Sequence, residues 1–533
     1  MTLLELFFKD SLDGESIAVE VLGKETSYTY SQIFNATMAL VTAIESIKKE
    51  LNKPQIRVGI YALNSVEWVI ADLACLGTSS LEIPVPIGFS HSQCEHLLGE
   101  VDICFVDFST INKSEISFLP HNKRIELDIN ILLQNFSQRF LTSIVNQKNR
   151  PKRLLDCADS EVLVKAIHTS GTTASPKGVL ISERALEFQV IALKSFLQAG
   201  SNARYLNIVP FSLLLEQICG IYLTFAAGGT LILLPKDEMA LTGGGTAATH
   251  YLKYIQQSKP TFLTIPPSVV NAIYTKTRSI ASSSTNIIQH LFGTTQLPLI
   301  ACGGGAVSIE VLTHLDSFGI RVFEGYGLSE NTSVVSWNAP HLYKQGTVGK
   351  ALDHVEIKIG FDGELLIKSP TLFSGYLNSD PGSCALLGDG FLATGDLVEI
   401  DEQGFLKIVG RKKNLFITTS GRNISAEWLE SVLNMQDEIE NCCVIGDARE
   451  FIIALIIPVR KEKNLDQRLL EMEIQKAIDR ANLQFPDYAR VKGFFTSSTE
   501  VINLETQLFT VTHRPIRNVI SSHFENIIEA FYI

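Results

Sequence analysis

The chain has 533 residues, 45% of them hydrophobic and 19% charged, a globular composition too long for one ordinary core, so two or more domains are expected. A net charge of −12 speaks against a nucleic-acid binder, which usually carries a basic face. Nine cysteines without any CxxC spacing indicate neither a zinc site nor a disulfide framework and suit a reducing cytosol.

Met1 to Leu12 holds an apolar patch but no basic start or small-residue cleavage site, so it does not read as a signal peptide. No run reaches the ~18 apolar residues of a membrane span, although mildly positive mean hydropathy leaves peripheral membrane contact open. Strand-like Arg57 to Ala62, helix-like Val66 to Cys75, strand-like Leu81 to Val85, helix-like Gln93 to Gly99 and strand-like Ile103 to Val106 alternate as in an α/β sheet. Val162 to Ile167 reads as a buried strand and Val179 to Ile181 as its partner. Ser182 is placed to cap a helix over Glu183 to Ala199, and Tyr205 to Val209 reads as the next strand. Ile218 to Pro235, interrupted by Gly220, Gly228 and Gly229, reads as a buried helix, a turn and a strand, while Thr242 to Thr246 is a flexible loop by composition. From Ile357 to Ile408 short strands alternate with Gly, Asp and Pro turns, which indicates a β-rich subdomain. A new unit starts near Arg411. It holds a helix over Ala426 to Asn434, strands at Cys442 to Ile445 and Ile452 to Ile457, and a solvated amphipathic helix over Leu465 to Ala481. Phe524, Ile527, Ile528 and Phe531 fall on one helical face, expected to pack as core.

The most informative stretch is His168-Thr169-Ser170-Gly171-Thr172-Thr173-Ala174-Ser175-Pro176-Lys177-Gly178. Hydroxyls, glycines and one cation in a single loop after a buried strand form a polyphosphate cradle, since such a loop turns many backbone N–H groups inward. It is not a Walker loop, because Lys177 stands between Pro176 and Gly178 instead of between Gly and Ser or Thr.

Downstream come Gly303-Gly304-Gly305-Ala306, Gly325-Tyr326-Gly327-Leu328-Ser329-Glu330, Thr394-Gly395-Asp396-Leu397, Gly410-Arg411-Lys412-Lys413-Asn414 and Gly421-Arg422-Asn423-Ile424-Ser425. With the loop, and in this order, they resemble the adenylate-forming superfamily of acyl-CoA synthetases, luciferases and peptide-synthetase adenylation domains. The likeness runs from about Ser27 to near the C-terminus, and Gly410 to Glu430 is most similar to the long-chain acyl-CoA synthetase branch. The resemblance implies an α/β fold: a large N-terminal domain of α/β subdomains plus a β-barrel-like subdomain, residues 1–410, with a small mobile α+β C-terminal lid, residues 411–533.

It also implies roles for single residues, in a reaction that joins a carboxylate to ATP, an encounter of two anions for which the protein must supply positive charge and positioning. Thr169, Ser170, Gly171, Thr172, Thr173 and Lys177 would hold the β and γ phosphates and then pyrophosphate. Gly304, Gly305 and Ala306 would line adenine, with Tyr326 offering an aromatic face. Ser329 would donate to the α-phosphate and Glu330 would hold Mg²⁺. Asp396 would accept from the ribose hydroxyls, supported by Arg411. Lys413 falls at the hinge of the lid, and Gly421 to Ile424 would line the tunnel for coenzyme A.

Two positions depart from the family pattern. The C-terminal lysine of most members is replaced by Arg514, which keeps the charge on a planar, longer group. Leu213 stands where the family often has His near the acyl pocket, which suits an apolar acid or simply core packing. The leading expectation is an ATP-dependent fatty acid–CoA ligase working through an acyl-adenylate. The alternatives are a ligase that loads an acyl carrier protein and a nucleotide-binding protein whose activity is lost at Arg514.

Overall fold

A computed structural model of the chain describes residues 3–8, 15–23, 26–87, 89–108, 111, 116–132, 162–169, 177–197, 200, 202–235, 238, 240, 246–279, 287–378, 385–417, 423–459, 467–497, 508–509 and 514–533. Among these residues a six-stranded sheet runs in the order Arg124–Glu126, Ile103–Val106, Arg57–Tyr61, Leu81–Pro84, Leu163–Thr169, Lys177–Ser182. Its neighbours are parallel apart from the last two strands, which form an antiparallel hairpin. The strands Leu81–Pro84 and Ile103–Val106 are buried along their whole length, as expected of parallel strands covered on both faces. Helix Val66–Gly77 starts where Ser65 Oγ accepts from the Trp68 N–H at 3.1 Å, and nearly all of it is buried.

A nine-stranded sheet runs Lys350–Ala351, Ser333–Trp337, Val322–Leu328, Leu299–Cys302, Phe262–Ile265, Arg204–Leu206, Thr230–Leu233, Ile17–Val21, Thr26–Thr29. Its centre is parallel and both edges are antiparallel. One core cluster draws buried side chains from both sheets, among them Val58, Val164, Tyr205 and Val335. The described parts of the motifs lie at or just beyond the carboxyl ends of Leu163–Thr169, Leu299–Cys302 and Val322–Leu328, as is usual for ligand sites on open α/β sheets.

The β-rich stretch is a four-stranded antiparallel sheet of Glu356–Ile359, Glu364–Lys368, Leu392–Ile400 and Leu406–Arg411. Beyond it, hairpin Leu415–Ile417/Asn423–Ser425 leads into helix Ala426–Leu433 and a three-stranded sheet of Ile439–Ile445, Ile452–Pro458 and Val491–Thr496. Helix Gln467–Asn482 packs there through Ile474, Ala477, Ile478 and Ala481, giving this unit its own core cluster.

Most elements lie where the pattern places them, and three differ. The strand read over Tyr205 to Val209 is Arg204–Leu206; the Asn207 main chain still donates to the Ile232 carbonyl at 2.9 Å, while its side-chain amide donates to Glu216 Oε1 and the Val209 carbonyl. The helix read within Ile218 to Pro235 is of π type over Gln217–Leu223, where Gly220 lets the Tyr205 ring approach. The C-terminal segment breaks at Phe524 into Arg517–His523 and Glu525–Ala530, and of the four residues expected on one packed face only Ile527 turns out. Ile528 is buried, Ile527 is 45% exposed, and Phe524 and Phe531 pack against the Phe495 ring. No described helix is long and apolar enough to cross a membrane. The seven described cysteines are buried free thiols.

Candidate active site

The hairpin Leu163–Thr169/Lys177–Ser182 pairs Thr169 directly with Lys177, so both ends of the glycine- and hydroxyl-rich loop are pinned side by side. Ser170, Gly171, Thr172 and Thr173 lie outside the described residues. Lys177 is exposed at the mouth, with Nζ 5.1 Å from the centroid of the Tyr376 ring. Gly178 is dictated by space, since a Cβ there would stand 2.8 Å from His168 Nε2. His168 itself is buried, and that burial pushes its pKa down to about 4.

On the other sheet, Leu299–Cys302 delivers Gly303, Gly304, Gly305 and Ala306. Gly304 has φ +82°, a conformation that favours glycine. Leu215 Cδ2 lies 3.6 Å from where a Cβ of Gly303 would sit, so the segment that follows Leu213 flanks this shelf. Glu324, which sequence reading passed over, anchors the shelf by accepting from the Val307 N–H at 3.2 Å, and burial pushes its pKa up to about 7.

The neighbouring strand Val322–Leu328 carries Tyr326 and ends in the turn Ser329–Asn331. Gly327 is required there, because a Cβ would fall 1.9 Å from the Ser333 carbonyl. Thr332 and Ser333, with φ 48° and 87°, are consecutive non-glycine residues in the left-handed region, a strained conformation that recurs at functional sites. The turn is held by a buried network in which Asn331 Nδ2 donates to the Val334 carbonyl at 3.0 Å and Thr332 Oγ1 to the Thr371 carbonyl at 2.7 Å. It presents Glu330, whose Oε1 accepts from the Tyr376 hydroxyl at 2.9 Å.

Asp396 is 3% exposed and joins three elements. Its Oδ2 accepts from the Tyr326 hydroxyl at 2.6 Å and its Oδ1 from Arg411 Nε at 3.1 Å, with Asp396 and Arg411 register partners on adjacent strands. Burial first, and the Asp396 charge second, push the Tyr326 hydroxyl well above its usual pKa, so it stays a donor. Gly395 N donates to Glu364 Oε1 at 2.7 Å, and Lys412 Nζ to Glu364 Oε2 at 3.1 Å. Lys413 is exposed in the turn Lys412–Asn414, and Gly421 lies outside the described residues.

Arg514 reaches across from the C-terminal unit, and its guanidinium donates to the Gly304 carbonyl. Arg514 is exposed, with the charges of Arg411, Asp396 and Glu427 around it. Glu427, also unforeseen, is held by Asn414 Nδ2. Structure thus brings Tyr326, Asp396, Arg411, Arg514 and the Gly304 shelf together at one end, and Lys177, Glu330 and Tyr376 at the other. Among the described residues no group of three or more His, Cys, Asp or Glu side chains is placed to hold a metal ion.

The family model of AMP-binding enzymes matches residues 10–377, and that of the AMP-binding enzyme C-terminal domain matches residues 413–533. A long-chain-fatty-acid–CoA ligase, FadD15, of Mycobacterium bovis is 26% identical over 89% of this chain and 88% of its own length. Long chain acyl-CoA synthetase 3 of Arabidopsis thaliana is 26% identical over 84% and 75%. Among solved structures, an anthranilate CoA ligase with anthranoyl-AMP superposes with TM-score 0.75 at 18% identity, covering 98% of this chain and 97% of that one. An o-succinylbenzoate coenzyme A synthetase of Bacillus subtilis with ATP and magnesium gives TM-score 0.70 at 20% identity, covering 97% and 98%. The chain belongs to the AMP-binding enzymes, the adenylate-forming superfamily whose acid–CoA ligases work with ATP, Mg²⁺ and coenzyme A.

Proposed function

We propose that this acid–CoA ligase activates a medium- or long-chain fatty acid, first as the acyl-adenylate with release of pyrophosphate, then as the CoA thioester with release of AMP. The observation that carries the reading is Arg514, whose guanidinium on the lid side meets the Gly304 carbonyl beside Asp396 and Arg411. A cation from the small domain is thereby delivered to the nucleotide shelf of the large one.

In the first step a carboxylate oxygen of the acid attacks the α-phosphorus and the bond to the β-phosphate oxygen breaks. Gly304, Gly305 and Ala306 hold adenine, Tyr326 stacks on it, and Asp396 accepts from the ribose hydroxyls while Tyr326 and Arg411 fix its two oxygens. Lys177 and the loop from Thr169 receive the leaving pyrophosphate, Ser329 donates to the α-phosphate, and Arg514 offsets the charge that builds between carboxylate and phosphorus. Mg²⁺ bound through Glu330 would neutralise phosphate charge. In the second step the CoA thiolate attacks the acyl carbonyl and AMP leaves, with residues 411–533 turning about Lys413 so that the segment from Gly421 faces the site, against a large domain of residues 1–410. Half-buried Leu213, on the segment beside Gly303, supports an apolar acid.

The test is AMP release from ATP with short, medium, long-chain and aryl acids, with and without CoA. CoA-dependent release with the longer fatty acids is expected. CoA-independent adenylate formation completed only by an acyl carrier protein would reassign the acceptor, and ATP binding without AMP release would mark a protein inactivated at Arg514.

A further inference from the structure

Lys177 and Glu330 come from different sheets, one opening the strand Lys177–Ser182 and the other in the turn after Val322–Leu328. The segment Phe373 to Leu377 is laid across both. Phe373 N donates to the Glu330 carbonyl at 2.8 Å, Leu180 N to the Gly375 carbonyl at 3.0 Å, and Leu377 N to the Gly178 carbonyl at 2.7 Å. Tyr376 sits at the crossing, in a β-bridge with Val179. Its hydroxyl donates to Glu330 Oε1 at 2.9 Å, and its ring carries Lys177 Nζ at 5.1 Å, within cation–π range. The Phe373 ring meets it edge-on at 4.9 Å and fixes its plane.

From this geometry we infer that Tyr376 is a positioning residue for metal-bound ATP, spacing the phosphate-loop cation from the metal carboxylate. Two opposite charges left to themselves would close into an ion pair, and each would then meet the nucleotide already neutralised. A phenol between them prevents this, because its ring face holds the ammonium and its hydroxyl holds one carboxylate oxygen. Glu330 Oε2 is left to present to a metal, and the ammonium is held by a contact weak enough to yield to phosphate. Tyrosine offers both functions, a ring face and a terminal donor, with one rigid body.

This inference rests on the nucleotide-site reading above, and calorimetric titration of the full chain with ATP separates the two. Each protein is titrated with ATP in EDTA and with ATP plus MgCl₂. Tyr376→Phe keeps the ring under Lys177 and removes the donor, so the gain in affinity conferred by Mg²⁺ should fall roughly three- to tenfold. Affinity for metal-free ATP should stay within about twofold of wild type, which also reports an intact fold. Tyr376→Leu, which removes both functions, should weaken both forms. A Tyr376→Phe protein with an unchanged Mg²⁺ gain, or with equal losses in both titrations, overturns the role of Tyr376. Wild-type protein that binds no ATP overturns the nucleotide-site reading as well.

Discussion

On the proposed reading, Arg514 governs the rate of the first half-reaction. Its guanidinium already contacts the Gly304 carbonyl, yet a planar fork directs its donors differently from an ammonium. Arg514→Lys is therefore expected to accelerate adenylation, read as pyrophosphate release, and an inactive but folded variant would count against the correspondence with the family lysine. Arg514→Ala should lower that rate by roughly 10²–10³ while thioester formation from preformed acyl-adenylate changes little. At Asp396, Asn keeps the shape but loses the charge that orients both the Tyr326 hydroxyl and Arg411. Asp396→Asn should raise KM for ATP roughly tenfold or more with a smaller change in kcat, a split measured in steady state. Both residues were proposed because each sits in a string with its own spacing. Tyr376 was not, since a Gly–Tyr pair carries no pattern and Tyr376 meets Glu330 across 46 residues of chain.

The strand Leu163–Thr169 shows what an element must do to support such a loop. Lys165, four residues before Thr169, is fully buried with Nζ 2.6 Å from both Asp72 Oδ1 and Glu82 Oε2, and Tyr222 donates to Asp72 at 2.6 Å. Burial pushes the Glu82 carboxyl well above its usual range. Lys165→Met leaves two carboxyl groups in the core without their cation and should cost about 3–5 kcal/mol in urea unfolding; a loss below about 1 kcal/mol would show that the network relaxes. On the same strand His168 titrates at about 4 when folded. A pKa lowered by folding means that the unfolded chain binds the proton first. The stabilisation is thus whole above about pH 6.5 and lost as pH falls toward about 4, a contribution of about 2–3 kcal/mol. Wild type should lose that much more stability over this window than His168→Gln, and parallel curves would remove His168 from the acid response. Sequence pattern located this strand because Val162 to Ile167 is short and apolar, with Lys165 its one discordant residue. The pattern could not show that Lys165 is satisfied by a helix and a strand from elsewhere, nor that a break at Phe524 turns Ile527 outward.

At the scale of the whole molecule, two open α/β sheets, an antiparallel sheet and a separate C-terminal core meet where their loops converge. Composition and motif order carried as far as the superfamily and the α/β fold, and from the same strings a division near residue 410 and a site strung over half the chain are proposed. How the C-terminal unit docks was not, because it depends on a handful of contacts between distant residues. Among these is the hydrogen bond from Arg514 to the Gly304 carbonyl. Its acceptor is a main-chain oxygen, so no substitution at position 304 can delete it, and a side chain there would only strain a backbone with φ +82°. This one contact can therefore be tuned from the arginine side alone. On the proposed reading, drift at position 514 resets both the strength of the contact and the charge brought to the reacting acid in a single codon, so at this position docking and chemistry change together.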